Sequence, residues 1–371
     1  DLITAFASCL RHGLIPNLLS SGRDPRYNAR DAVWWFSQAV QDYCEFVYGS
    51  DRKGAVKFLQ ETKVLRYFPS DDQQAERPEV YHSLEEILRE ILERHATGIS
   101  FREWNAGDKI DNHMSNEGFN VSVRCDSSNG FIYGGSGHNC GTWMDKMGES
   151  VEFGSMGVPA TPRDGADVEI IGLLTSTLRW CAELSEHGFI NKPIKVDETT
   201  EWNYSDWHSS IVANFEKNFW VPADGSEDRE YSIDLRFVTR RGIYKDTVGS
   251  ENPASDYRFR PNLCVAMVVA PELFDTVHAR IALSQVTEVL LGKIGMKTLD
   301  PTAPRYAPYY DTQSRKDYYE AYGFNYHQGP EWVWVTGYYL RARLQFEDSN
   351  PMLCEEIEEI LSAHRATIFS S

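Results

Sequence analysis

The sequence predicts an all-α domain carrying a small β insertion near residues 100–134. Three observations predict it. Apolar residues recur at three- and four-residue spacing along most of the chain. Strand-like alternation is confined to one stretch, Ser100 to Tyr133. No β–α alternation occurs, which excludes TIM-barrel and doubly wound architectures. At about 150 residues per domain, 371 residues suggest two or three domains. A helical barrel can take that length as one unit, however, and no Ser/Gly-rich linker or fixed-period repeat divides it. One domain over residues 1–371 is therefore expected.

The elements follow in order. Leu2 to Leu10 is a weak helical pattern, and Asp31 to Val47 a strong one that opens on an Asp N-cap. Lys53 to Glu61 is weak. Ser83 to His95 is strong, because Glu86 follows Ser83 by three residues as in a capping box. Strands are expected at Ser100–Trp104, Phe119–Arg124 and Gly130–Tyr133, the last two joined by a Ser-Ser-Asn-Gly turn. Helices follow at Val168–His187, Ser205–Phe219, Asn262–Ala270, Ala279–Leu291, Glu331–Phe346 and Cys354–His364. Pro222–Glu230 and Asp300–Pro308 read as surface loops.

Charge narrows the partners. With 55 acidic and 37 basic residues the net charge is −18, which repels phosphate backbones and anionic lipid. Neither nucleic acid nor a membrane surface is an expected partner. The longest weakly polar run, Leu263 to Phe274, is too short for a bilayer helix of about 20 residues. No signal peptide opens the chain, and its start at Asp1 in mid-helix pattern suggests a segment of something longer. Seven widely spaced cysteines without a C-x-x-C pair argue for a reducing compartment. The sequons at Asn120 and Asn203 are read as unused.

Aromatic residues reach 13%, and many sit beside prolines, glycines and carboxylates. Such surroundings suit a sugar, whose ring has an apolar C–H face and a hydrogen-bonding rim. A large core filled with tryptophan accounts for the composition equally simply.

Three segments carry the unusual chemistry. In Asn139–Glu149, Asp145 follows Trp143 inside a glycine-flanked loop. A carboxyl kept beside an indole and away from water favours its neutral form, as a general acid requires. Glu149 is the rival acid and Lys146 a charge modulator; a plain turn aspartate is the competing explanation. In Gly323–Trp334, Pro330 suits a first helical turn, which puts Glu331 at a helix N-terminus where the dipole favours its ionised form. Tyr326 and His327 precede it, and Trp332 and Trp334 flank it. A glutamate chosen only for the dipole would look the same. In Arg26–Trp35, Arg30 and Asp31 could grip hydroxyls, with Trp34 or Trp35 as a stacking platform, although an N-cap role explains Asp31 by itself. Arg260 and Asn262 form a similar junction before an apolar run.

Metal and nucleophile chemistries lack their motifs. The histidines make no H-E-x-x-H pattern, Ser136 has no lipase elbow, and Gly134–Gly141 lacks the lysine of a P-loop.

The segments Leu10–Asn17, Arg26–Trp35, Asn139–Ser150, Pro159–Gly165, Arg260–Asn262 and Gly323–Trp332 closely resemble the C-terminal amylo-α-1,6-glucosidase half of eukaryotic glycogen debranching enzymes. The resemblance runs from about residue 10 to 344. It implies an (α/α)₆ barrel, or toroid, of the six-hairpin glycosidase type. The family's glucosidase half continues beyond the end of this chain, so a final barrel helix is expected to be missing. It implies hydrolysis, with inversion, of the single α-1,6-linked glucose left on glycogen. The family's general acid falls on Asp145, its general base on Glu331 and its sugar-gripping pair on Arg30 and Asp31. Trp34, Trp143, Lys146, Arg260, Asn262, Tyr326, His327 and Trp332 are the further expected substrate contacts. No metal or organic cofactor is implied. The implied partners are glycogen or another branched α-glucan and the N-terminal glucanotransferase half of a full-length enzyme, in the cytoplasm. A non-catalytic glycan-binding fragment is the competing class; it would need the tryptophans but not both acids. A helical solenoid is disfavoured by the missing repeat.

Overall fold

A computed structural model of the chain describes residues 1–20, 24–67, 79–104, 106–347 and 351–370. It is mainly helical. The helices are α1 (Leu2–Ser8), α2 (Ala32–Tyr48), α3 (Arg52–Glu61), α4 (Leu84–Thr97), α5 (Val168–Ser185), α6 (Tyr204–Phe219), α7 (Leu263–Val269), α8 (Thr276–Gln285), α9 (Trp334–Phe346) and α10 (Pro351–Ser370). Among the described residues no helix is long and apolar enough to cross a membrane. The residues group into two compact units.

The first unit comprises Asp1–Met147, Gly157–Ala166 and Leu173–Ala213. Helix α4 shows why local sequence suffices for its start. The Ser83 hydroxyl accepts the Glu86 amide at 3.2 Å, while the Glu86 carboxylate accepts the Ser83 amide at 2.7 Å. From there Leu84, Ile87, Leu88, Ile91, Leu92 and His95 form one buried face. Helix α2 buries Val33, Trp34, Phe36, Val40 and Cys44 on the same logic and ends at Gly49. Helices α1, α2, α3 and α4 pack on one another in sequence neighbours, with α1 also meeting α4.

The β insertion is a three-stranded antiparallel sheet in which Asn120–Cys125 lies between Ile99–Arg102 and Ile132–Gly134. The expected turn closes it, with the Gly130 amide donating to the Asp126 carbonyl at 2.8 Å. Gly130 has φ +78°, and a side chain there would press on Ile211 and Trp207. The Trp207 indole donates to the Gly130 carbonyl at 2.7 Å, so the turn is also clamped from α6.

The second unit comprises Gly148–Met156, Asp167–Gly172 and Asn214–Ser371. Helix α9 packs against α7 and α8. The first turn of α5 approaches α7 so closely that a Cβ at Gly172 would lie 2.6 Å from the Ala266 Cα. Phe215, Phe219, Tyr244 and Phe274 form an aromatic core, with ring centroids 4.6 to 6.0 Å apart.

Two expected helices differ from their sequence pattern. The Ala279–Leu291 helix is α-helical only to Gln285 and continues as a π-turn over Val286–Leu290. There Lys297 donates to the Val289 and Leu291 carbonyls, which draws the last turn open. The helix expected from Glu331 starts instead at Trp334. Glu331 and Trp332 extend and pair antiparallel with Lys297 and Met296. A partner strand more than thirty residues away wins over the local helical period.

Candidate active site

The first unit holds a cavity of about 530 Å³ lined by α1, the start of α2 and the Thr142–Asp145 loop. Its wall is mostly apolar, from Leu2, Phe6, Ile15, Pro16 and Phe36, with Trp35 and Trp143 as aromatic faces. Asp31 and Asp145 supply the carboxylates.

The loop carrying Asp145 is pinned nearly residue by residue. Asn28 donates to the Asn139 side chain at 3.1 Å, and the Arg30 amide to the Gly141 carbonyl at 2.8 Å. Arg163 donates to the Thr142 hydroxyl at 3.2 Å, the Trp143 amide to the Asp31 carboxylate at 2.8 Å, and the Ala160 amide to the Lys146 carbonyl at 3.0 Å. Asp145 is exposed and opens onto the cavity, with the surrounding protein displacing part of the water from its carboxyl. That desolvation pushes its carboxyl above the ordinary value of 3.8; a backbone amide and the charges of Arg26 and Lys146 pull the other way, and desolvation wins.

Asp31 differs from its expected cap role. It stands at the N-cap position of α2 but already has helical angles, and its side chain makes no capping bond. Its carboxylate holds the Trp143 amide across 112 positions of sequence. Arg30 is 3% exposed, packs against Gly135 and Gly141, and donates to the Arg163 carbonyl at 2.6 Å. The expected grip of Arg30 on sugar is thus corrected: its guanidinium serves the loop. Trp34 is likewise corrected. It is 0% exposed and packs tilted against His95 at 4.6 Å, because the helical period sends it to the core and sends Trp35 to the cavity.

In the second unit, Glu331 is exposed at the end of its short strand. Its Oε2 accepts the backbone amides of Ile294 at 3.2 Å and Gly295 at 3.1 Å. These donors replace the helix dipole that the sequence pattern suggested, and they solvate a carboxylate anion. The fit is close: a Cβ at Gly292 would lie 2.0 Å from the carboxyl carbon. The Tyr306 hydroxyl, raised by burial, is raised further by the Glu331 charge.

Around Glu331, His327 stacks on Trp332 at 4.9 Å and Tyr326 meets both rings. The Trp332 indole donates to the Tyr326 carbonyl at 3.1 Å. His327 is 0% exposed, which corrects its reading as a substrate contact. Arg260 and Asn262 are corrected too. The Arg260 guanidinium donates to the carbonyls of Thr298 and His327 and to the Gln328 side chain, and Asn262 donates to Asp246. Both are buried: Arg260 braces the segment before Glu331, and Asn262 is held by the Asp246 carboxylate. Glu149, the rival acid, belongs to this unit and faces the Tyr310 hydroxyl. Trp334 lies on α9, 36% exposed, with its ring against Tyr338.

Of the two candidate stacking platforms, Trp35 is the one that lines the cavity. Sequence reasoning passed over several other residues. Arg163, in the Pro159–Gly165 segment, sits at φ +41°, a strained angle for a residue with a side chain, and ties two loops together. Glu103 is 2% exposed, accepts the Tyr27 amide at 2.6 Å, and burial pushes its carboxyl up to about 7. Gly292 and the amides at 294 and 295 carry no side-chain signal at all.

Two carboxyl groups in such different settings, on a mainly helical scaffold, put the chain in the class of helical glycosidase domains. More narrowly, it belongs to the amylo-α-1,6-glucosidase family, whose pattern it matches over residues 1–371. It is 47% identical over 390 aligned residues to the glycogen debranching enzyme of Saccharomyces cerevisiae (strain ATCC 204508 / S288c). That alignment covers 100% of this chain and 25% of the yeast protein, so the chain spans about a quarter of that relative.

Proposed function

We propose that the chain is a glycoside hydrolase that removes a single α-1,6-linked glucose from a branched α-glucan such as glycogen, with inversion at the anomeric carbon. Asp145 is the general acid that protonates the leaving glycosidic oxygen. Glu331 is the general base. Its Oε2 stays bound to the two amides while Oε1 takes a proton from the attacking water. Trp35 and Trp143 stack on the glucose ring, and Asp31 bonds its hydroxyls from the cavity wall. Lys146 tunes Asp145, while Tyr326 and Trp332 form the aromatic surround of Glu331. No metal or organic cofactor takes part.

The observation that carries this reading is the burial-raised carboxyl of Asp145 opening into an aromatic-walled cavity. Family membership supports the substrate class. We further place the two units within one (α/α)₆ glucosidase domain. In a full-length cytoplasmic enzyme it would work beside an N-terminal glucanotransferase half. The seven free thiols suit that reducing setting.

The test is glucose release by the purified chain from a maltooligosaccharide bearing one α-1,6-glucosyl branch. β-Glucose as the first product supports inversion, and α-glucose overturns it. Inversion also requires the carboxyl groups of Asp145 and Glu331 to stand about 6.5–9.5 Å apart in a substrate complex. Glycan binding without any release favours a binding module.

A further inference from the structure

The segment from Arg305 to Tyr326 contains seven tyrosines, at 306, 309, 310, 318, 319, 322 and 326. Neither the acid–base pair nor the core needs so many. Three of their rings are open to solvent: Tyr309 at 84%, Tyr310 at 42% and Tyr319 at 45% exposure. The segment is nevertheless firmly built. Asn325 donates to the carbonyls of Ala307 and Tyr309, both at 2.8 Å, and the Ala307 amide donates to the Gln328 carbonyl at 2.8 Å. Tyr310 rests on Gly323, whose φ of +69° suits only glycine, and a Cβ there would strike the ring at 2.4 Å.

One of the open rings leads toward the candidate base: Tyr310 packs tilted against Tyr326 at 4.5 Å, and Tyr326 meets Trp332, the neighbour of Glu331, at 4.8 Å. Such a surface suits an occupant that has apolar faces and exchanges hydrogen bonds at its edges. An α-1,4-linked glucan chain meets each condition, since every glucose offers a C–H face to a ring and hydroxyls to the phenols. A lipid or an apolar peptide face would cover the exposed phenol hydroxyls without offering them hydrogen-bond partners.

We propose that the exposed tyrosines of this segment, Tyr309, Tyr310 and Tyr319, form a platform for the main α-1,4-linked chain that bears the branch glucose. The proposal rests on the hydrolase reading for the orientation of that chain, but the platform itself is a binding site testable without turnover.

The experiment is affinity electrophoresis of the purified chain in gels containing glycogen, repeated with maltoheptaose as competitor. Tyr309→Ala alone, with a ring too exposed to support the fold, and Tyr309→Ala/Tyr310→Ala together should weaken retardation by about fivefold per ring removed. Tyr309→Trp should restore it, because the stacking face returns. Tyr43→Ala/Phe46→Ala, which removes exposed aromatics of α2, serves as the control and should leave retardation as in the parent. Retardation unaltered in the double tyrosine variant, or weakened as much by the α2 control, overturns the platform. Tyrosine-dependent retardation in a chain that releases no glucose supports the platform while removing the hydrolase reading. Glucose release with tyrosine-independent retardation does the reverse.

Discussion

Asp145, in a loop, and Glu331, in a two-residue strand, are both carboxyl side chains, yet their surroundings act on them differently. Around Asp145 the protein supplies apolar cavity walls, and although the residue is exposed to the cavity, desolvation of its carboxyl outweighs two nearby cations. Around Glu331 it supplies an open setting and two backbone amides aimed at one oxygen. The first arrangement favours the neutral form of Asp145, as the general acid proposed above requires. The second fixes one oxygen of Glu331 and leaves the other for the proposed base.

The sharpest way to break the comparison is to remove each titrating group. Asp145→Asn and Glu331→Gln keep size and hydrogen-bonding reach, so glycogen affinity should change little while glucose release falls by roughly 10²–10⁴-fold in each. Near-parental release from either variant moves that role elsewhere, with Glu149 the first replacement for the acid.

Next in size is a variant that leaves Glu331 intact but spoils its cradle. Gly292→Ala places a methyl 2.0 Å from the carboxyl carbon, so the side chain must move. Turnover should fall by about 100-fold, because a displacement of about 1 Å costs that much in a positioned reaction. Unchanged turnover would mean that the amide-held position of Glu331 is not the working one.

Glu103 tests the other half, where burial rules. Its folded value near 7 lies above the ordinary 4.5. The folded chain therefore holds this proton more tightly than the unfolded chain does, and the parent loses stability as pH rises from about 4.5 through 7. The loss is roughly 3 kcal/mol once the group is fully charged. Glu103→Gln keeps an acceptor for the Tyr27 amide without the charge. In thermal unfolding it should melt well above the parent at pH 8, with the difference closing toward pH 4.5. A gap that does not vary with pH would show that Glu103 acts by packing alone.

The smallest expected effect sharpens the contrast by a charge. Lys146 lowers the Asp145 carboxyl, so Lys146→Met should raise it. An acid that must be protonated then survives to higher pH, and the alkaline limb of the rate profile should move upward while the acidic limb stays. Movement of the acidic limb instead would assign Lys146 to the base.

What could be read without a structure was what lies within a few residues. The capping box of α4, the apolar face of α2 and the β insertion are encoded by neighbours in sequence, and each is found in place. The choice between Trp34 and Trp35 stayed open because both belong to one helical turn. Only the packing against His95 shows which faces inward. Arg30, Arg260, Asn262 and His327 looked like ligands because their donors seemed available in a linear reading. The carbonyls and carboxylates that occupy those donors or surround them come from distant loops, such as Arg163 for Arg30 and Thr298 for Arg260.

Sequence alone therefore determined the helical class and the family, since periodicity and motif are local or nearly so. Tertiary structure decided what each side chain touches. Glu331 lies in a strand and not at a helix N-terminus because Met296 and Lys297 pair with it across more than thirty residues. Asp31 holds Trp143 instead of capping its own helix because an amide 112 positions away reaches its carboxylate. Hydrogen bonds of that span depend on where two loops meet, and no local pattern records the meeting.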